Sequence, residues 1–267
     1  MLNLKQLTAE VCRIATEAGH FLKEERKNFR RECVEEKHAH DYVSYVDKES
    51  EARVVKALSA LLPEAGFITE EGSATYQDEP YCWVIDPLDG TTNYIHDEAP
   101  YCVSIALRNH TELLIGVVYE VCRDECFYAW KGGKAYMNGE EIHVSTIRNP
   151  KDAFVVTELP YNYQQYKQIA LHLIDKLYGE VGGIRMNGSA AAAICHVAIG
   201  RFDAWAEAFL GKWDYSAAAL IVQQAGGCVT NFYGEEHFIE GHHIIATNGY
   251  LHPLFQKLLA EVPPVDM

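Results

Sequence analysis

Apolar residues near the start of the chain recur at helical spacing. A first helix is predicted within the first 35 residues, because one face would carry Leu4, Leu7, Val11, Ile14, Ala15, Ala18 and Leu22. A second amphipathic helix is predicted over 47–62, with Asp47 as its cap and Pro63 beyond its end. The charged stretch between them, EERKNFRRECVEEKHAH, is interpreted as a helix end and a loop.

The period then changes to that of β-strands. Apolar, β-branched and aromatic runs separated by turn residues occupy 66–69, 81–86, 101–107, 112–121 and 125–130. Asn138-Gly139 is a hairpin signal shortly afterwards. The first half is therefore predicted to form two helices and a mainly antiparallel sheet.

In the second half, strands and helices alternate. Strands are predicted at 153–157, 202–208 and 243–247, and helices at 166–178, 188–200, 214–227 and 250–262. This alternation favours layered α/β packing. We place a division near RNPKD, between an α+β half at 1–150 and an α/β half at 151–267, and expect one compact unit.

Composition narrows the class of protein. A hydrophobic fraction of 48% and a charged fraction of 23% are ordinary for a globular chain. The formal net charge of −15 disfavours nucleic acid as a partner, and no apolar run is long enough to predict a membrane partner. The eight cysteines form no CxxC pair and no secretion signal precedes them, so we expect reduced, buried thiols in a cytoplasmic protein.

The stretch WVIDPLDGTTNY, residues 83–94, carries the first candidate chemistry. Between Asp86 and Asp89 a proline fixes φ, and a glycine follows, so the chain can turn sharply. Such a turn can aim both carboxylates and the Leu88 carbonyl to one side, as a hard cation such as Mg²⁺ requires. A plain Asp-Pro and Asp-Gly turn explains the same residues. The Gly-Thr-Thr-Asn that follows could begin a helix whose amides accept an anion.

Two other acidic positions are ambiguous by themselves. Glu70 and Glu71 follow a predicted strand, where a solvated acidic loop is the simpler interpretation. Asp214 opens a predicted helix after Trp213, where a helix cap explains it.

Four motifs in order along the chain carry a family resemblance. WVIDPLDGTTNY fits the pattern W-x-[IV]-D-P-[IL]-D-G-T-x-N-[FY], and WDYSAA (213–218) fits W-D-x-[AS]-[AG]. Glu70-Glu71 matches a glutamate loop, and DYVSYVD (41–47) matches D-x-V-[TS]-x-x-D. Over nearly its whole length the chain thus resembles the inositol monophosphatase family of magnesium-dependent, lithium-sensitive phosphatases. The resemblance implies a five-layered αβαβα sandwich and, commonly, a homodimer, for which the 125–130 strand is a candidate surface.

The resemblance also implies a metal site. Glu70, Asp86 and the Leu88 carbonyl look like ligands of a first Mg²⁺, and Asp86, Asp89 and Asp214 like ligands of a second. Glu70 looks able to hold a third ion through water, which gives two to three ions per site.

The resemblance assigns phosphate binding and catalysis to neighbouring residues. The backbone amides of Gly90 and Thr91 look like the phosphate cradle. The Thr91 hydroxyl, paired with Asp47, looks like the device that orients a metal-activated water together with Glu70. That water would attack phosphorus in line.

Substrate contacts are assigned in the same way. Glu207 and the Ala190 backbone match positions that contact inositol in the family, beside Asp89 and Asp214. A small phosphorylated polyol, myo-inositol monophosphate, is the implied substrate. The chain departs from the family at Thr69, which replaces a glycine, at Glu36, which replaces a lysine, and in the tyrosine-rich segment 161–166; Thr157 is a further candidate contact.

Two alternatives stay open. A 3′-phosphoadenosine phosphatase or a fructose-1,6-bisphosphatase of the same superfamily would need basic residues for a second phosphate, and Arg185 and Lys212 are the nearest candidates. A non-catalytic binding protein that retains the fold is the alternative from another class.

Overall fold

The structure, a computed structural model, describes residues 2–38, 41–236 and 238–262. Its helices are α1 (Leu4–Arg26), α2 (Tyr45–Leu61), α3 (Thr91–His96), α4 (Tyr163–Leu177), α5 (Ala190–Ala198), α6 (Lys212–Gln224) and α7 (His252–Ala260). Its strands are β1 (Val34–His38), β2 (Asp41–Ser44), β3 (Ala65–Thr69), β4 (Tyr81–Asp89), β5 (Cys102–Arg108), β6 (Leu113–Glu120), β7 (Glu125–Trp130), β8 (Ala135–Met137), β9 (Glu140–Glu141), β10 (Phe154–Thr157), β11 (Gly183–Arg185), β12 (Ala204–Ala208), β13 (Cys228–Asn231) and β14 (His243–Thr247).

A seven-stranded sheet forms the first half, in the order β3-β4-β5-β6-β7-β8-β9. Only β3 and β4 pair in parallel, and each later neighbour is antiparallel, as predicted. One face is covered by α1 and α2, because Val11 and Leu22 of α1 and Leu58 of α2 join one apolar cluster with the inner residues of β4 and β5.

A five-stranded sheet forms the second half, in the order β11-β10-β12-β14-β13. β10 pairs in parallel with β11 and β12, whereas β14 is antiparallel to both of its neighbours. Its outer face packs against α4 and α7, through Leu173 and Phe255 among others.

Helices α5 and α6 lie between the two sheets and contact both. Their small side chains allow close approach, since α5 is buried at every position and α6 at eight consecutive ones. At Gly116 of β6 a Cβ would lie 2.2 Å from the Ala217 carbonyl oxygen of α6, so only glycine permits this packing. The layers therefore run αβαβα, as the resemblance implied.

Some local predictions are wrong. The charged segment interpreted as a loop contains β1, which pairs antiparallel with β2. Helix α2 begins at Tyr45 with Ser44 as its cap, and Asp47 is the third residue of the helix, accepting bonds from the Ser44 backbone N (2.9 Å) and Oγ (2.7 Å). Asp214 occupies the same position in α6 and accepts from the Gly211 backbone N at 2.7 Å, so neither aspartate is the N-cap itself.

Other predictions concerned surfaces and cysteines. Strand β7 is not an exposed apolar strand, because it lies between β6 and β8 and each residue is buried or half-buried. Of the seven cysteines whose side chains are described, only Cys82, Cys102 and Cys195 are buried.

In the described part of the chain, no helix combines the length and the hydropathy needed to cross a bilayer. Residue 150 falls between the last strand of one sheet and the first of the other, and the domain division there stays a prediction.

Candidate active site

A cleft of about 540 Å³ opens where the two sheets and the central helices meet. It is lined by nine of the ten predicted site residues, namely Glu70, Asp86, Leu88, Asp89, Gly90, Thr91, Ala190, Glu207 and Asp214. Two further carboxyl groups, Glu98 and Glu158, also line it. None of the described lining residues is Lys, Arg or His, whereas seven of them carry carboxyl groups.

The end of β4 aims its two aspartates at this cleft. In a regular strand, residues three apart point to opposite faces. Here the pairing with β5 is irregular between Asp86, which faces Ser104, and Asp89, which faces Cys102. The extra residue bends the strand, and the Leu88 backbone N donates to Asp86 Oδ1 at 2.9 Å within the turn. The sharp turn predicted from the sequence is therefore a bulge at a strand end.

Asp89 is held by the start of α5. Its Oδ2 accepts from Ser189 Oγ, from the Ala191 backbone N at 2.8 Å and from Cys102 Sγ at 3.4 Å. Burial raises the pKa of Asp89, and these donors oppose that rise. The residue is thus fixed in position before any ligand binds, and Ala190 lies beside it at the first turn of the helix.

Asp86 is surrounded by other acids. Burial raises the pKa of Asp86 well above its ordinary value, and the charges of Glu70, Asp89 and Asp214 add to the rise. Among the described residues, no three or more His, Cys, Asp or Glu side chains form a ready-made cage. Buried, mutually repelling carboxyl groups beside a backbone carbonyl nevertheless fit the oxygen ligands of a hard divalent cation.

Asp47, the tenth predicted residue, lies behind the cleft and is completely buried. The Thr91 Oγ1 atom is 3.0 Å from Asp47 Oδ1 and 3.0 Å from the Leu88 carbonyl oxygen, and can donate to either. Burial raises the pKa of Asp47, while the bonds from Ser44 and Thr91 lower it. The Thr91 hydroxyl therefore links the buried Asp47 to the cleft.

Gly90 permits the close approach of two loops. Its φ of +92° is left-handed, and a Cβ there would lie 3.0 Å from the Pro100 carbonyl oxygen and 3.2 Å from that of Gly188. Helix α3 starts at the next residue, and the first amides of a helix have no carbonyl partner within it. The Asn93 side chain donates to the Pro100 carbonyl at 2.8 Å, which fixes this corner.

The glutamate loop is positioned by a residue that the sequence analysis missed. The Glu51 carboxylate is completely buried and accepts from the backbone N of Glu71 (2.8 Å) and of Ser73 (2.9 Å). Glu51 lies four residues after Asp47 and seven before Leu58, on the buried stripe of α2. An acid on an apolar stripe is the signal that could have identified it.

The other end of the cleft is formed by the second sheet. Glu207 is the last residue but one of β12, and Glu158 follows its parallel neighbour β10, so the two carboxyl groups meet at one edge. Burial raises the pKa of Glu207 well above its ordinary value, and the charge of Glu158 adds to the rise. Glu158, not predicted, accepts from the backbone N of Asn187 (2.6 Å) and of Gly188 (3.2 Å). Thr157, named as a candidate contact, is buried and does not line the cleft.

Glu158 should make the stability of the metal-free protein depend on pH. Burial raises its pKa from 4.5 to about 7, so ionisation costs more in the folded state, and stability is lost as the pH rises from about 4.5 to about 7. In EDTA, the free energy of unfolding of Glu158→Gln should therefore rise relative to that of the wild type as the pH increases across this window. The relative rise should be at most about 3 kcal/mol. Urea titrations at several pH values measure this.

The exposed Glu98 provides the matched control. Glu98→Gln removes a carboxyl group from the same cleft, but one in contact with water. At each pH, the difference in free energy of unfolding between Glu98→Gln and the wild type should stay the same. An equal gain in both variants would contradict the assignment to Glu158.

The basic residues considered for a second phosphate lie elsewhere. The Arg185 guanidinium stacks 4.6 Å from the centre of the Phe154 ring, and Lys212 pairs with Glu240. Neither is among the described residues of the cleft. The side chain of Glu36 lies outside the described residues, and Thr69 is the buried last residue of β3.

Comparisons with known proteins agree with this fold. The family model of the inositol monophosphatase family matches residues 3–263. The chain is 39% identical to the protein named Nus factor SuhB of Pseudomonas aeruginosa, over 86% of each chain. It is 38% identical to a fructose-1,6-bisphosphatase/inositol-1-monophosphatase of Aquifex aeolicus, over 94% of each. The inositol monophosphatase structure from Anabaena superposes with a TM-score of 0.87, at 32% identity and 98% coverage of both chains.

The chain therefore belongs to the inositol monophosphatase family, a family of metal-dependent phosphatases. Its relatives bear names of more than one kind, as phosphatases and as Nus factors, so family membership leaves the particular substrate to be argued from the cleft.

Proposed function

We propose that this chain is a Mg²⁺-dependent phosphomonoesterase that hydrolyses myo-inositol monophosphate to inositol and phosphate. The observation that supports this most directly is a cleft whose described lining residues include seven carboxyl groups and no cationic side chain, next to the helix start at Gly90 and Thr91. A phosphate dianion would be repelled from such a cleft unless cations were bound there first.

The metal ligands would be the residues gathered at the end of β4. Glu70, Asp86 and the Leu88 carbonyl would hold one ion, and Asp86, Asp89 and Asp214 a second. Bound Mg²⁺ neutralises charge on phosphoryl oxygens and lowers the pKa of a coordinated water. The number of ions, two or three, belongs to this proposal.

The chain's own residues would position the reacting groups. The amides of Gly90 and Thr91 would donate to the phosphate oxygens. The Thr91 hydroxyl, which lies within hydrogen-bonding distance of Asp47, would orient the attacking water, and Glu70 would accept its proton. At the other end, Glu207 would accept hydrogen bonds from polyol hydroxyls, beside the Ala190 backbone.

Phosphate release tests this proposal. Myo-inositol 1-phosphate, fructose 1,6-bisphosphate and adenosine 3′,5′-bisphosphate are compared with Mg²⁺, with EDTA, and with Mg²⁺ plus Li⁺. We expect Mg²⁺-dependent, Li⁺-inhibited hydrolysis of the monophosphate. A preference for either bisphosphate in kcat/KM by more than about tenfold, or about 1.4 kcal/mol in the transition state, would contradict the substrate assignment.

The name of several relatives favours a second candidate. They are called Nus factors rather than phosphatases, which favours the alternative of a non-catalytic binding protein on the same fold. Partner binding without phosphatase activity in the native chain would favour it. Our proposal also includes a cytoplasmic homodimer, for which sedimentation of the purified chain gives the mass.

A further inference from the structure

Two thiols outside the active-site cleft lie on elements that pack against each other. Cys12 belongs to α1 and Cys126 to β7, and both are partly buried. Cys126, Tyr128 and Trp130 alternate along β7, and all three pack against the apolar cluster to which α1 contributes. Residues two apart in a strand point to the same face, so Cys126 lies on the face of the sheet that α1 covers.

A second cleft, of about 370 Å³, brings Cys12 to that face. Cys12 lines this cleft from the helix and Tyr128 lines it from the strand. Farther along the helix, a Cβ at Gly19 would lie 2.2 Å from the Tyr119 ring, and Tyr119 is the cross-strand partner of Cys126. Helix α1 therefore lies directly on this part of the sheet, and the cleft gives small solutes access to Cys12.

The two thiols interact with each other. A hydrogen bond with the Cys126 thiol is the main reason why the pKa of Cys12 is raised, and burial adds to the rise. Burial also raises the pKa of Tyr128, and both thiols contribute to that rise. Because a thiol that stays protonated reacts slowly, this pair should stay reduced until an oxidant is sustained.

We infer that Cys12 and Cys126 are a modification site, at which hydrogen peroxide joins the two sulfurs in a disulfide between α1 and β7. The inference does not depend on the proposed function, since neither cysteine is among the described residues of the active-site cleft.

The reaction balances with hydrogen peroxide as the oxidant. Cys12, which lines the second cleft, loses its proton and attacks one peroxide oxygen. The O–O bond breaks, and the leaving hydroxide takes up that proton as water. The Cys126 sulfur then attacks the sulfenic acid on Cys12, so that the S–S bond forms, the S–O bond breaks and a second water leaves with the Cys126 proton. Two electrons pass from the sulfurs to the peroxide.

The disulfide should stabilise the folded chain. It would close a long loop in the unfolded chain, which removes conformational freedom from that state. We expect the melting temperature to rise by about 5–10 °C after oxidation, and to return to its first value in dithiothreitol.

Peptide mapping of the full chain, before and after treatment with hydrogen peroxide, tests the inference. Denatured samples should lose two titratable thiols, and one new peptide should join the segments that contain Cys12 and Cys126. A disulfide between any other two cysteines would overturn the inference. So would Cys12 and Cys126 that stay free, or are oxidised singly, after prolonged exposure.

Cys122 supplies the matched control. It is exposed and lies four residues before Cys126. Cys122→Ala should keep the linked peptide and the rise in melting temperature, whereas Cys12→Ala and Cys126→Ala should lose both. A rise that persists in Cys126→Ala, or a linked peptide that Cys122→Ala abolishes, would contradict the assignment.

Phenylarsine oxide, which binds pairs of neighbouring thiols, tests the contact in the reduced wild type without any substitution. One equivalent should protect Cys12 and Cys126 together from alkylation. Alkylation of both at the rate seen without the arsenical would show that the sulfurs do not meet, and would overturn the inference.

Discussion

Replacing Asp86 by Asn is expected to lower kcat/KM for phosphate release by about a thousandfold or more, or at least about 4 kcal/mol in the transition state. Asp86 is the carboxylate that both proposed metal sites share, so an amide there weakens both. The measurement is phosphate release from myo-inositol 1-phosphate at saturating Mg²⁺.

The variant should keep its fold, which separates lost chemistry from lost structure. Because Asp86 is buried among Glu70, Asp89 and Asp214, removing its charge relieves repulsion in the metal-free protein. The melting temperature in EDTA should therefore be equal to or above that of the wild type. Asp175→Asn, on the exposed surface of α4, is the matched control. Wild-type activity in Asp86→Asn would mean that this cleft is not the working site.

Saturating Mg²⁺ is expected to raise the melting temperature of the wild type by about 5–10 °C. A ligand that binds only the folded state at a hundred times its dissociation constant adds about 2.7 kcal/mol, and a chain of this size gains a few degrees for each kcal/mol. The physical reason is the same group of repelling carboxylates, which a cation neutralises. Thermal unfolding in MgCl₂ and in EDTA, at matched ionic strength, measures the shift.

Asp86→Asn tests whether this shift comes from the proposed metal site, because the variant should lose most of the Mg²⁺-dependent rise in melting temperature. The shift should also be larger at pH 8 than at pH 5, since the raised pKa of Asp86 makes protons compete with the metal. A shift of equal size in the variant would assign the stabilisation to another ion site. No shift in the wild type would count against metal binding altogether.

The turn at the end of β4 could be interpreted from the sequence because its features lie in one short segment. The turn from Asp86 to Gly90 carries its proline and glycine in sequence, and its chemistry could be interpreted before its place in the fold was known. Glu70 and Asp214 were recognised only through the family motifs, because a single acid after a strand or at a helix start has simpler explanations. The cleft brings them together from distant points of the chain.

The residues and elements that were missed depend on tertiary contacts. Strand β1 is formed from a charged segment whose pattern does not alternate, and only pairing with β2 makes it a strand. Glu51 and Glu158 bind backbone amides of other loops, and backbone amides leave no trace in a sequence pattern. A sequence pattern locates a helix start only to within a few residues, so it does not distinguish a cap from the third helical position that Asp47 and Asp214 occupy.

The cleft draws its two ends from separate layers of the molecule. The groups proposed for hydrolysis come from β4, α3, the start of α6 and the loop after β3, whereas Glu207 and Glu158 come from the second sheet and the loop after β10. Changes in the second group can alter which alcohol is accepted while the phosphate end keeps its geometry. This arrangement would allow one hydrolytic apparatus to acquire new substrates in small evolutionary steps, each confined to two or three loops.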